Sequence, residues 1–126
     1  MLKAQGVELI RVDLAGYDIH LDISLTMIDV DLAIVNPAGL PYWFLEKLKE
    51  LKIRTIEISP QDSSWIVNCL AVRPGRVIMP RGISNRTMDA LVKHNVEVIQ
   101  IGYDKMSLNG GGIHCSTCPL IRDSIG

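Results

Sequence analysis

The sequence predicts an α/β fold, with tandem ββαβ modules forming one domain across residues 1–126. Three observations predict it. Short runs of β-branched and apolar residues are bounded by Pro, Gly and Asp, as strands and turns are. Apolar residues at helical spacing stand between such runs. The second half of the chain then repeats the first at an offset of 43 residues.

Val7–Val12 alternates weakly and predicts a strand, followed by a loop over Asp13–Asp18 around Gly16. His20–Ile28 carries no breaker and predicts a second strand. Asp29-Val30-Asp31 turns the chain, and Leu32–Val35 returns as the other arm of a hairpin. Pro37 and Gly39 end that arm. Pro41 opens a helix, since proline suits a first helical position. Phe44, Leu45, Leu48 and Leu51 form its apolar stripe, with Glu46, Lys47, Lys49 and Glu50 outward. Ile53–Ile58 predicts the next strand.

At the offset of 43, Pro37 meets Pro80, Gly39 meets Gly82, Leu48 meets Leu91 and Ile56 meets Ile99. The modules therefore run from about His20 to Ile58 and from about Ser64 to Ile101, with a final segment at 109–126. His94 falls at the end of the second helix, where an imidazole suits the helix dipole. A ββαβ unit cannot bury both faces of its sheet alone, and two units leave open edges. A partner chain or a second copy is expected to complete the fold.

Composition narrows the function. Lys+Arg 13 against Asp+Glu 14 gives a net charge of -1, and aromatics are 5%. The basic residues are scattered, so no nucleic-acid surface is expected. Hydrophobic residues are 48% of the chain and mean hydropathy is +0.22, enough for a buried core. No membrane span is expected, because no apolar run reaches roughly 18 residues. The first residues lack a signal-peptide layout, and a cytoplasmic location is the expectation. Three cysteines, an odd number, argue against a disulfide framework.

The segment Asn109-Gly110-Gly111-Gly112-Ile113-His114-Cys115 is the first chemical signal. Glycines let a backbone approach a ligand closely, which makes Gly111 and Gly112 candidate substrate-contacting positions. A cysteine beside such a loop is placed to be an exposed nucleophile. Cys115-x-x-Cys118 also reads as half a zinc site. A second Cys-x-x-Cys is absent, however, and Cys69, His114 and His20 lack the spacing of a finger. As a redox pair it would need to open a helix, and Pro119 follows it. No metal and no cofactor are expected. The second signal is His20-Leu21-Asp22. Strand alternation puts His20 and Asp22 on one face, as proton shuttle and cation holder; a solvated surface pair is the plainer reading.

Residues 110–123, Gly-Gly-Gly-Ile-His-Cys-Ser-Thr-Cys-Pro-Leu-Ile-Arg-Asp, resemble the C-terminal signature of arginine deiminases and the wider amidinotransferase, or pentein, superfamily. His20-Leu21-Asp22-Ile23-Ser24 resembles that family's histidine segment. Asn68-Cys69-Leu70-Ala71-Val72, with Pro74-Gly75 and Val77-Ile78, resembles the segment between the two. The resemblance implies a fan of ββαβ modules about a pseudo-fivefold axis, of which this chain is the C-terminal part. It implies Cys115 as nucleophile, His20 as general acid/base and Asp22 as a carboxylate on the guanidinium. The substrate class implied is a small guanidino compound: arginine, a methylated arginine or agmatine. Family members are longer, and the resemblance implies that a further acidic pair and the groups for the substrate's α-carboxylate lie ahead of the histidine segment. Only 19 residues precede His20, so those groups are expected from another chain. The competing class is a non-catalytic assembly or regulatory module that keeps the site as a relic.

Overall fold

A computed structural model describes residues 2–14, 16 and 18–124. Positions 15 and 17 of the expected Asp13–Asp18 loop, and 125 and 126 of the final segment, lie outside the described residues.

The first module is a three-stranded sheet. Strand β1 (Leu25–Met27) pairs antiparallel with β2 (Leu32–Val35), and β2 pairs parallel with β3 (Arg54–Glu57). Helix α1 (Tyr42–Glu50) makes the crossover between the parallel strands. The second module repeats this. Strand β4 (Leu70–Arg73) pairs antiparallel with β5 (Arg76–Pro80), α2 (Asn85–Lys93) crosses over, and β6 (Glu97–Ile101) pairs parallel with β5. The helices keep the offset of 43 at both ends, Tyr42 with Asn85 and Glu50 with Lys93. Each is followed at the same position by a left-handed residue, Lys52 at φ 60° and Asn95 at φ 58°. A short helix α3 (Asp104–Ser107) and a 3-10 turn (His114–Ser116) follow β6.

Strand β2 sits at the centre and is buried on both faces. Ala33 and Val35 pack with Phe44 and Leu48 of α1. Leu32 and Ile34 face the other way, into a core shared with Val77, Met79 and Leu91 of the second module. Burying an aliphatic side chain is worth about 1.5–3 kcal/mol, so this shared core joins the modules.

Two expected strands are corrected. Val7–Val12 has no strand; Val7 and Leu9 are exposed, while Ile10 and Val12 pack against the α1 core. Its alternation is satisfied by side-chain packing, with no ladder partner among the described residues. The strand expected over His20–Ile28 survives only as Leu25–Met27, preceded by a 3-10 turn at Leu21–Ile23. The cause lies in its partner. Beyond Val35 the Asn36 amide still bonds Ser24 O (2.9 Å), but Pro37 has no amide and opens a 3-10 turn, which leaves nothing to pair with. Gly39 packs on the buried Ser24 so closely that a Cβ would lie 3.1 Å from Ser24 Cβ. His20 and Asp22 therefore do not share a strand face. At three residues per turn, positions two apart diverge.

Helix α2 is anchored by a polar cluster. Ser84 caps it by accepting from the Thr87 amide and donates to Asp62 Oδ2 (2.9 Å). The buried Thr87 hydroxyl also donates to Asp62 and accepts from the Ser59 amide (2.8 Å). Burial alone would raise the Asp62 carboxyl. Bonds from Thr87, Ser84 and Ser59 outweigh that and hold it below the usual carboxylate range. The depressed folded-state value means that Asp62 stabilises the fold above the ordinary carboxylate range, an effect lost as pH falls through the folded-state value. Ser84→Ala is expected to cost about 1 kcal/mol, read as a lower midpoint in urea. Asp62→Asn is expected to flatten the acid limb of the stability–pH profile; an acid limb unchanged from the parent chain would show that Asp62 carries none of it.

Candidate active site

Three segments far apart in sequence meet at Cys115: the turn at Leu21–Ile23, Asn68 just ahead of β4, and the turn at His114–Ser116. Asn68 is fully buried. Its Oδ1 accepts from the Cys115 amide (3.1 Å), and its Nδ2 donates to Cys115 Sγ (3.2 Å) and to Asp22 O (3.3 Å). Its backbone carbonyl accepts from the His114 amide (3.1 Å).

Gly112 lies directly on the Asn68 side chain. A Cβ there would fall 2.6 Å from Asn68 Cβ and Cγ, so only glycine lets the loop close. The close approach expected of this glycine is thus made to Asn68. At Gly111 a Cβ would meet only Cys115 Cβ, at an ordinary 3.9 Å. Tyr103, ahead of α3, ties the loop from the other side by donating to Gly112 O (3.0 Å) and bonding Ser116 Oγ.

Asp22 is brought in by its turn. Its Oδ2 accepts from His114 Nδ1 (2.8 Å) and from Cys115 Sγ (3.5 Å). Its Oδ1 is buried and has no hydrogen-bond partner among the described residues. A buried carboxylate oxygen left unpaired is costly. A cavity of about 200 Å³ opens here, lined by Asp22 and His114 with Thr26, Met27, Leu70 and Arg122. Cys115, which is exposed, is not part of its wall.

The structure therefore joins Cys115 and Asp22 but leaves His20 apart. His20 precedes the turn with an extended backbone, is exposed, and makes no side-chain hydrogen bond with any described residue. The imidazole on Asp22 is that of His114. Sequence reading passed over His114 and Asn68 as site residues. Nothing in their spacing marks them, since Asn68 is 47 residues from Cys115 and His114 is 92 from Asp22. His94 caps α2 as expected, with Nδ1 2.8 Å from Ala90 O. The other two cysteines differ sharply. Burial pushes the Cys69 thiol up to about 12, whereas Cys118 is exposed. Among the described residues, no three His, Cys, Asp or Glu side chains converge as a metal-ligand set, and no helix is long and apolar enough to cross a membrane.

Comparison with known proteins finds a match to the family model described as arginine deiminase over residues 44–122. Solved structures share the fold. SxtG, an amidinotransferase of the saxitoxin biosynthetic pathway from Microseira wollei, superposes with a TM-score of 0.72 at 21% identity; the match covers 90% of this chain and 36% of that one. The N-terminal domain of ArgZ, an arginine dihydrolase from the ornithine–ammonia cycle in cyanobacteria, was solved bound to product. It gives 0.72 at 17% identity, covering 90% and 42%. DDAH from Pseudomonas aeruginosa, a cysteine-to-serine mutant complexed with citrulline, gives 0.62 at 24% identity, covering 80% and 36%. The chain thus spans well under half the length of these proteins.

Gly112→Ala is expected to destabilise the fold by about 1–3 kcal/mol, because Asn68 and the loop backbone must move apart. Thermal denaturation measures it, with Gly111→Ala, where space exists, as the milder control.

Proposed function

The chain belongs to the arginine deiminase family, within the pentein superfamily, and on that premise we propose that it carries the nucleophilic half of a guanidino-modifying active site. The reaction is arginine deiminase-like hydrolysis through a covalent thiouronium intermediate. The observation that supports this best is the Cys115–Asp22 pair, with the thiol 3.5 Å from one carboxylate oxygen and the other oxygen buried and without a hydrogen-bond partner among the described residues.

The chemistry suits these groups. A guanidinium carbon is a poor electrophile until its charge is held and its leaving nitrogen is protonated. Asp22 offers a carboxylate for the planar cation, and Oδ1 is free to accept its N–H. The Cys115 thiolate attacks the guanidinium carbon to give a tetrahedral adduct. His20 delivers a proton to the departing ammonia or amine, and the adduct collapses to the thiouronium. The same imidazole then takes a proton from water as the water oxygen attacks that carbon, and the thiolate leaves to release the urea product. His20 reaches this role in the assembled fan, where further modules cover the face on which it is now exposed. The backbone of Gly111 and Gly112 flanks the bound cation. No cofactor or metal enters these steps. Residues 1–126 act as one folding unit, the C-terminal part of the fan, and a partner chain or second copy supplies the remaining acidic groups and those for the substrate's tail. A cytoplasmic location belongs to this reading.

An amidine-bearing electrophile tests the cation site directly. 2-Chloroacetamidine is expected to label Cys115 at least about tenfold faster than Cys118, a preference of the size one charge-assisted bond provides. Asp22→Asn is expected to remove that preference while leaving labelling by neutral iodoacetamide in place. Equal labelling of Cys115 and Cys118 by the amidine would refute a guanidinium site at Asp22 and favour a relic. When the chain is co-expressed with its completing modules, citrulline release from arginine is expected, and Cys115→Ala abolishes it.

A further inference from the structure

We propose that Asn68 is a positioning residue for the nucleophile: its side-chain amide both fixes the Cys115 backbone and donates a hydrogen bond to the sulfur in its thiolate form. This rests on the reading of Cys115 as the nucleophile, and it adds a residue from the second module to the site.

The orientation of the amide follows from its surroundings. The Cys115 amide is a donor only, so the Asn68 atom facing it must be the oxygen. That turns Nδ2 toward Cys115 Sγ and the Asp22 carbonyl, both acceptors when the thiol is ionised. The two N–H bonds of one amide therefore have one target each, at 3.2 and 3.3 Å. Full burial removes competing water, and Gly112 packed against Cβ and Cγ prevents the amide from swinging away. The His114 amide on the Asn68 carbonyl holds the backbone of the same residue. A thiolate gains more from an N–H donor than a neutral thiol does, because the bond becomes charge-assisted. Asp22 Oδ2, 3.5 Å from the sulfur, works the other way by repelling a thiolate. Asn68 is the neutral donor that offsets this repulsion without adding a cation that would compete with a guanidinium for Asp22.

A bystander that only braces the loop would alter stability, and its side-chain NH₂ signals would not follow the titration of the sulfur. The test is the alkylation rate of Cys115 by iodoacetamide against pH, peptide by peptide, with Cys118 as internal control. Asn68→Asp keeps the oxygen that accepts from the Cys115 amide and replaces the donor by a negatively charged acceptor. The Cys115 profile is expected to move upward by about one pH unit, about tenfold slower labelling at neutral pH, with Cys118 unchanged. An unshifted Cys115 profile in folded Asn68→Asp overturns the proposal. Should that variant fail to fold, the parent chain decides. With selective ¹⁵N-asparagine labelling, one side-chain NH₂ pair is expected to shift in step with the Cys115 alkylation profile and to stop doing so in Cys115→Ser. If no asparagine NH₂ pair follows the profile, Asn68 does not donate to the sulfur. These outcomes are separable from the functional reading: selective amidine labelling of Cys115 with an unmoved Asn68→Asp profile removes Asn68 alone.

Discussion

The Cys115 loop belongs to neither sheet, and its position depends on the contact between Gly112 and the buried side chain of Asn68. That contact is tight enough to exclude a Cβ. It sets the loop height above β4, and the Cys115 amide then bonds Asn68 Oδ1. A loop fixed by one buried amide and one glycine has little freedom to place its cysteine elsewhere. Such restraint suits the nucleophilic role proposed for Cys115, since small misplacements of reacting atoms cost rate steeply.

The rest of the fold delivers the partners of that loop. The core shared by β2, β5 and α2 fixes the two sheets relative to each other, and so fixes Asn68 relative to Asp22. Asp22 reaches the loop because β1 is short. Pro37 ends the ladder of β2, the chain ahead of Leu25 turns instead of pairing, and the Asp22 carbonyl meets Asn68 while its carboxylate meets His114 and Cys115. In this arrangement Asp22 Oδ1 is a buried polar atom left without a hydrogen bond from any described residue.

Much of the fold was legible in the sequence. The offset of 43 located both helices and placed the parallel strands in each copy, because Pro, Gly and apolar spacing act locally and identically in the two modules. What was missed depended on tertiary partners. Val7–Val12 alternates like a strand but finds no ladder partner among the described residues. His20–Ile28 lacks an internal breaker, yet its pairing is limited by Pro37, in the turn just beyond the neighbouring strand β2. In the site, Cys115 and Asp22 stood out by local pattern and the structure brings them together. Asn68 and His114 did not stand out, since what makes them important is contact across 46 to 92 residues. His20 was singled out together with Asp22 on a shared strand face that the 3-10 turn removes.

The proposed reaction passes through a covalent bond between Cys115 and a guanidinium carbon. Its most direct measurement is the mass of the Cys115 peptide after acid quench of the assembled enzyme during turnover of arginine. A fraction of that peptide is expected to carry the substrate-derived thiouronium, and none in Cys115→Ala. Product formation with an unmodified Cys115 peptide at every quench time would contradict it.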